Sequence, residues 1–274
     1  SLLMLFAGQP ARLQALPLSR KILCASTRGH KGRLGLVHCF PNVMRKNKER
    51  SMPIPWAQID TVLLDMDGTL LDLHFDSHFW LEHLPVRYAQ IHQCEPKQAK
   101  EWLMQRLTKE RGTIDWYCVD YWSDQLGVDI AALKREVKHN ICYRPHAVRF
   151  LELLNQSPQK VVLVTNDHRS SLEMKLELTG LGQYLDEIIV SHDFKVAKEH
   201  QDFWREMQGI EHFEPDRTLF IDDTAAVLDA ADQFGIKHLR LISQPDSKRS
   251  RALESQHPRI ECFSTVNASI NKSA

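Results

Sequence analysis

Two carboxylates stand two residues apart, directly after an apolar run of the sequence. Asp65 and Asp67 follow residues 59–64, a run rich enough in β-branched side chains to predict a buried strand. Gly68 permits a tight backbone turn after it. Asp65 can then act as a nucleophile while its second oxygen binds a metal ion. Asp67 can act as a general acid toward a leaving oxygen and later as a base toward water.

Polar residues farther along the chain could supply the rest of such a site. Asp222 and Asp223 add further carboxylates, and ligands made only of oxygen suit Mg²⁺. Thr165, followed by Asn166, offers a hydroxyl and backbone donors to a phosphoryl oxygen. Lys198 offers a compact positive charge for developing negative charge. These residues predict a magnesium-dependent site for a small phosphate monoester.

Short apolar runs of the kind found in buried strands recur along the chain. They cover residues 59–64, 160–164, 187–190, 218–221 and 237–242. Continuous apolar strands separated by helical stretches predict an α/β fold with a Rossmann-like parallel sheet covered on both faces. Ligands bind at the carboxyl ends of such strands. The polar residues that follow four of the runs should therefore converge on one crevice.

The spacing of the runs predicts a second, inserted unit. Residues 72–144 contain no clear strand and place apolar side chains at helical spacing, as in Val119, Trp122 and Leu126. We therefore predict an all-helical cap over the crevice, with a catalytic core made of residues 52–71 and 145–245. The polar, Ser-rich residues 246–274 are predicted to form a loosely packed tail.

Charge is unevenly distributed along the chain. Lys and Arg total 35, as do Asp and Glu, but residues 1–51 hold ten basic residues and one acidic residue. The globular remainder is therefore acidic, which disfavours binding to polymeric nucleic acid. For residues 1–51 a transit peptide, a basic tail and a non-native extension stay open. We favour a non-native or disordered extension, because Met52 just before the first strand would serve as a start.

Cysteine spacing and hydropathy bear on location. The six cysteines are scattered without a C-x-x-C pair, which disfavours a zinc site or a disulfide framework. No apolar run approaches the roughly 20 residues needed to span a bilayer. We therefore expect a cytoplasmic protein with reduced thiols and no membrane association. The oligomeric state is unknown at this point.

The four polar motifs resemble those of the haloacid dehalogenase superfamily over about residues 56–245. They are Asp65-Met66-Asp67-Gly68-Thr69, Thr165-Asn166, Lys198 and Asp222-Asp223. The resemblance implies that Asp65 forms an aspartyl-phosphate with magnesium bound and that Asp67 is the acid/base. It also implies that Thr165 and Lys198 hold the phosphoryl group. Asp223 matches the direct metal ligand, with Asp222 beside it, and Asp65 and Asp67 are expected to complete the set of metal ligands.

One motif departs from the common superfamily pattern. Lys198 is followed by Glu199, where many members have proline, and Lys195 is a second candidate for the charge. The position of the insert resembles the helical cap type, which favours small soluble substrates.

A closer resemblance concerns the substrate. Residues 65–80, 115–122, 165–168 and 220–224 are similar to the bacterial GMP/IMP nucleotidase branch, which hydrolyses purine nucleoside 5′-monophosphates. A phosphosugar or phosphoglycolate phosphatase, a phosphomutase and a non-catalytic binding module are the alternatives. The aromatic residues Trp116, Tyr117, Tyr121 and Trp122 could stack on a purine or form the cap core. Asp72, His74, Asp76 and His168 are expected to be structural or solvated.

Overall fold

A parallel sheet forms the centre of the protein in the computed structural model, which describes residues 53–250 and 255–270. Its strands are β1 Thr61–Leu64, β2 Lys160–Thr165, β3 Glu187–Val190, β4 Thr218–Asp222, β5 His238–Ile242 and β6 Arg259–Ile260. Their spatial order is β3-β2-β1-β4-β5-β6, so β1 lies between β2 and β4. The prediction for residues 1–51 lies outside the described residues.

The two faces of the sheet bury alternate residues of each strand. Val62, Leu64, Leu163 and Ile221 belong to one hydrophobic cluster, and Leu63, Val162, Val164 and Phe220 belong to another. Because both faces are covered, no strand position needs a polar side chain, and the strands read as continuous apolar runs. Successive side chains of a strand point to opposite faces of the sheet, so each apolar run contributes to the hydrophobic clusters on both faces.

Helices cover both faces. They are α6 Ala147–Leu154, α7 Arg169–Thr179, α8 Ser191–Phe194, α9 Gln201–Ile210, α10 Ala225–Phe234 and α11 Phe263–Ile270. Helices α6 and α11 pack in the cluster of Leu64, whereas α9 and α10 pack in the cluster of Leu63. The predicted doubly covered parallel sheet is therefore confirmed.

The insertion between β1 and β2 is entirely helical. It contains α1 His74–His78, α2 Leu84–His92, α3 Pro96–Lys109, α4 Val119–Leu126 and α5 Ile130–Glu136, with a π-helical turn, Phe79–His83, joining α1 to α2. Its apolar side chains form their own cluster, which reaches Ala197 of the core. An antiparallel bridge between Leu71 and Tyr143 closes the base of the insertion. The fold class, a Rossmann-like core with a helical cap, is confirmed.

The prediction of a loosely packed C-terminal tail is wrong for residues 255–270. The short strand β6 pairs with β5, and helix α11 packs on α6 through Phe263, whose ring stacks on Phe150 at 4.8 Å. A few buried apolar residues suffice to anchor this otherwise polar segment to the edge of the sheet. Among the described residues, no helix is both long and apolar enough to cross a membrane.

Candidate active site

The carboxyl ends of three neighbouring strands bring the predicted site residues together. In the register of the sheet, Leu64 of β1 lies opposite Leu163 of β2 and Ile221 of β4. Asp65 continues this register, because its backbone N–H donates to Ile221 O at 3.0 Å. The residues that follow β1, β2 and β4 therefore lie side by side, as the sequence predicts.

Three carboxylates from β1 and β4 form a buried cluster. One oxygen each of Asp65, Asp222 and Asp223 lies within 4.8 Å of the others. All three residues are buried, and Asp65 Oδ2 has no hydrogen-bond partner among the described residues. An all-oxygen donor set with an unsatisfied buried carboxylate oxygen fits a hard divalent cation such as Mg²⁺.

The Asp67 carboxylate is not part of that cluster. It was predicted among the metal ligands, but its Oδ1 pairs with Lys175 Nζ at 2.7 Å instead. One oxygen of Asp67 is therefore held by a lysine, and its assignment as a metal ligand stays a prediction. Asp67 nonetheless lines the same pocket as Asp65.

Gly68 allows the turn after β1 to approach the carboxylate cluster. Its φ is +89°, in the region that favours glycine, and an added Cβ would lie 2.6 Å from Asp223 Oδ2. Arg144 Nη1 donates to Gly68 O at 2.9 Å and so holds the turn from the opposite side. Only glycine leaves room for Asp223 to reach the cluster.

Lys198 is the cation of the cluster. Its buried Nζ donates to Asp65 Oδ1 and Asp222 Oδ2, each at 2.7 Å, and to Val164 O at 3.0 Å. Burial opposes its charge, but Asp222 and Asp65 outweigh burial and raise the pKa of Lys198. The fallback candidate Lys195 is exposed, with a φ of 58° at the end of α8. The structure thus places Lys198, not Lys195, at the site.

One lysine does not neutralise three buried carboxylates. Burial raises the pKa of Asp65 to about 7, and Asp222 and Asp223 add to this while Lys198 opposes it. Burial likewise raises the pKa of Asp222. A divalent cation would supply the missing positive charge and would displace protons as it binds.

Thr165 and Asn166 follow β2 next to Lys198. Thr165 Oγ1 accepts from the Asp167 backbone N–H at 2.9 Å. Asn166 Oδ1 accepts from the Lys198 backbone N–H at 3.0 Å, which fixes the loop that carries the lysine. Both residues line the pocket above Asp65. Their assignment to phosphate binding stays a prediction.

Glu199 joins the cap to this loop. Its Oε1 accepts from Tyr117 Oη at 2.6 Å and its Oε2 from Asn166 Nδ2 at 3.0 Å. Tyr117 belongs to the cap, and Asn166 follows β2. The glutamate that replaces the common proline therefore links the two parts of the protein, a function that sequence inspection left unassigned.

Lys175 is the centre of a second buried charge cluster that the sequence did not predict. Its Nζ lies 2.7 Å from Asp67 Oδ1, 2.8 Å from Asp167 Oδ2 and 3.0 Å from Asp76 Oδ2. Lys134 of the cap pairs with the other oxygen of Asp76 at 3.0 Å and donates to Ser171 Oγ, also at 3.0 Å. The cluster therefore connects the cap to Asp67.

Two of the three acids in this cluster have pKa values that are shifted in opposite directions. Burial raises the pKa of Asp67 to about 8, with Asp76 and Asp167 adding to it and Lys175 opposing it. Burial also opposes ionisation of Asp76, but Lys134 and Lys175 together hold its pKa at about 2. A carboxyl with a raised pKa is suited to proton donation near neutral pH.

The position of Lys175 on helix α7 could have indicated that this lysine is buried and paired. Ser171, Leu172 and Lys175 all fall on the buried side of this helix. A lysine at a buried helix position requires a carboxylate partner. Its partners come from separate segments, so the sequence could indicate the need but not the partner.

A pocket lies between the strand ends and the cap. Asp65, Asp67, Asp76, Trp80, Trp116, Tyr117, Lys134, Thr165, Asn166 and Asp167 line it. Trp116 and Tyr117 thus line the pocket as well as the cap core, whereas Trp122 and Tyr121 contribute to the cap core and do not line the pocket. The expectation that Asp76 is structural agrees with its two lysine partners.

His192 lies beside the site, behind His168. The two rings meet edge to face at 5.0 Å, and neither ring nitrogen of His192 has a hydrogen-bond partner among the described residues. Burial lowers the pKa of His192 to about 4, and His168 adds to this while Asp167, Asp193 and Asp120 oppose it. His192 is therefore neutral in the folded protein.

Acid should destabilise the fold through His192. The unfolded residue takes up a proton near pH 6.5, whereas the folded one does so only near pH 4. Between these values the unfolded state binds more protons, so stability falls as pH falls. His192→Asn should flatten this decline in urea unfolding at pH 7.5, 6 and 5. His139→Asn, at an exposed position, should not. Equal declines in all three proteins would contradict the prediction.

Comparison with known proteins agrees with the fold and the site. The haloacid dehalogenase-like hydrolase family matches residues 59–235, so the chain belongs to this family of hydrolases. It is 41% identical over 210 residues to GMP/IMP nucleotidase YrfG of Escherichia coli K12, covering 77% of this chain and 95% of that protein. It is 27% identical over 182 residues to pyrimidine 5′-nucleotidase YjjG of the same organism, covering 61% of this chain and 78% of that protein.

Solved structures show the same fold at low sequence identity. A HAD phosphatase from Thermococcus onnurineus superposes with a TM-score of 0.65 at 20% identity, covering 77% of this chain and 97% of that one. The L-2-haloacid dehalogenase from Xanthobacter autotrophicus superposes with a TM-score of 0.53 at 16% identity, covering 79% of this chain and 100% of that one. The fold is therefore shared by enzymes with different named activities, and chemistry has to be inferred from the site. The chain is a hydrolase of the haloacid dehalogenase superfamily, and it resembles the GMP/IMP nucleotidase branch of that superfamily.

Proposed function

We propose that this protein is a magnesium-dependent phosphomonoesterase that hydrolyses a purine nucleoside 5′-monophosphate, GMP or IMP. The observation that carries the proposal is the buried group of Asp65, Asp222, Asp223 and Lys198 beneath an aromatic-lined pocket. The relative named GMP/IMP nucleotidase supports the choice of substrate. The free thiols of Cys94, Cys118, Cys142 and Cys262 support a reducing, cytoplasmic location.

The metal would be held by the carboxylates of Asp65, Asp222 and Asp223. Bound there, Mg²⁺ supplies positive charge that polarises a phosphoryl oxygen and offsets the charge of the cluster. Lys198 adds a second positive charge, which contacts Asp65 Oδ1 at 2.7 Å. Thr165 and Asn166 would orient the remaining phosphoryl oxygens from the end of β2.

The proposed chemistry has two steps. In the first, a carboxylate oxygen of Asp65 attacks phosphorus and the bond to the nucleoside 5′ oxygen breaks. Asp67 donates its proton to that leaving oxygen. In the second, Asp67 accepts a proton from water as the water oxygen attacks the phosphorus of the aspartyl-phosphate. Inorganic phosphate leaves, and both carboxyl groups return to their starting states.

A phosphate-release screen tests the substrate class. With Mg²⁺ present, GMP and IMP should be turned over at least about tenfold more efficiently than pyrimidine monophosphates, phosphoglycolate or sugar phosphates, a discrimination within reach of one pocket. EDTA should abolish the activity, and excess Mg²⁺ should restore it. A preference for a sugar phosphate would overturn the nucleotidase assignment while leaving the phosphatase chemistry intact. Activity in EDTA would overturn the metal.

A further inference from the structure

Two buried cap residues that line the pocket, Trp80 and Lys134, carry hydrogen-bond donors. Trp80 is 3% exposed and lines the pocket, and its indole Nε1–H has no partner among the described residues. Lys134, also buried, adds an ammonium group to the same wall. A ligand that fills this end of the pocket should therefore present acceptors.

The carboxylate of this wall is paired with two lysines. Both oxygens of Asp76 pair with lysines, Lys134 and Lys175, at 3.0 Å. Tyr117 uses its hydroxyl proton to bond Glu199 at 2.6 Å. The carboxylate of this wall therefore has its charge balanced, whereas the indole N–H of Trp80 has no partner among the described residues.

An indole N–H can only donate, and leaving it buried without a partner is costly. Asp65, which lines the same pocket, carries a comparable unsatisfied atom, Oδ2, where the metal is proposed to bind. The pocket thus has an unsatisfied acceptor at the proposed metal site and an unsatisfied donor on the wall formed by the cap. A cation bound beside the phosphate would satisfy the carboxylate oxygen, and an acceptor on the base would satisfy the indole N–H.

We propose that Trp80 selects 6-oxopurine nucleotides by donating its Nε1–H to O6 of guanine or hypoxanthine. This inference rests on the proposed function and adds the residue that reads the base. Guanine presents O6 and N7 as acceptors on this edge, whereas adenine carries an N6 amino donor in place of O6. Adenine would set a donor against the indole N–H and leave both unsatisfied. The proposal therefore accounts for selectivity between GMP or IMP and AMP.

The test pairs a change in the protein with a change in the ligand. Trp80→Phe keeps an aromatic ring and removes the N–H. Purine riboside 5′-monophosphate keeps the purine, ribose and phosphate of IMP and lacks O6. The kcat/KM ratio of IMP to this analogue is measured for wild type and Trp80→Phe, and the ratio of IMP to AMP is measured alongside.

Trp122→Phe is the matched control. Trp122 lies in the same cap core, with its ring 6.1 Å from that of Trp80, but its Nε1–H donates to Trp116 O at 3.0 Å and it does not line the pocket. This variant removes an indole N–H of comparable burial. It should leave both substrate ratios at their wild-type values.

The expected result is that both ratios fall about tenfold in Trp80→Phe, the effect of one neutral hydrogen bond. Unchanged ratios in Trp80→Phe, with wild type active on IMP and GMP, would overturn the assignment of Trp80 and leave the proposed function standing. No wild-type turnover of either nucleotide would overturn both. If Trp80→Phe does not fold, the proposal is tested by the wild-type kcat/KM ratio of IMP to the analogue. A ratio near one would overturn the proposal, and a ratio of about ten would support it.

Discussion

Asp65→Asn should abolish phosphate release, with a loss of at least about a thousandfold in kcat, as expected when a covalent nucleophile is removed. The amide keeps the shape of the carboxyl and can still accept the Lys198 hydrogen bond that Asp65 Oδ1 accepts at 2.7 Å. It cannot form the aspartyl-phosphate. The measurement is phosphate release from GMP, together with mass spectrometry of the protein after acid quench.

Folding should survive this substitution, which separates lost chemistry from lost structure. Asp222 and Asp223 both disfavour the charge on Asp65, so a neutral amide relieves repulsion in the metal-free cluster. Asp65→Asn should therefore be at least as stable as wild type without Mg²⁺. Asp202→Asn, at an exposed position on α9, is the control and should retain full activity. Turnover by Asp65→Asn within about tenfold of wild type would remove Asp65 from the nucleophile position.

Lys175→Met should destabilise the fold by about 3–5 kcal/mol, the cost of leaving buried charge without its partner. Lys175 is 1% exposed and contacts three carboxylates, those of Asp67, Asp76 and Asp167. Methionine fills a similar volume but leaves all three without this cation. Activity should fall as well, because the Asp67 carboxylate loses the group that orients it. Urea unfolding gives the stability, and phosphate release gives the activity.

Lys134→Met is the matched comparison for Lys175→Met. Lys134 is also buried, but of the three carboxylates it contacts only Asp76, which would keep Lys175. Lys134→Met should therefore lower the free energy of unfolding by clearly less than Lys175→Met does. Lys175→Arg should recover part of the stability by keeping the positive charge. The prediction fails if Lys175→Met costs less than about 1 kcal/mol, the value of an exposed ion pair.

The sequence alone determined the framework of this protein. The predicted apolar runs coincide with β1 to β5, because strands buried on both faces must be apolar throughout. The polar residues that follow them converge because parallel strands end at one edge of the sheet. Lys198 accordingly lies within hydrogen-bonding distance of both Asp65 and Asp222. Each of these predictions depends on local pattern and on a general property of parallel sheets.

Tertiary structure alone decided which groups became partners. Lys175 meets Asp67, Glu199 meets Tyr117, and Trp80 reaches the pocket through the fold of the cap. Residues 255–270 join the sheet although their composition favours a tail. The physical reason is common to these cases. A buried charge, or a segment with few apolar residues, is stabilised by residues that are distant in the sequence and that the fold packs against it. The spacing of residues within one segment does not reveal which distant residues these are.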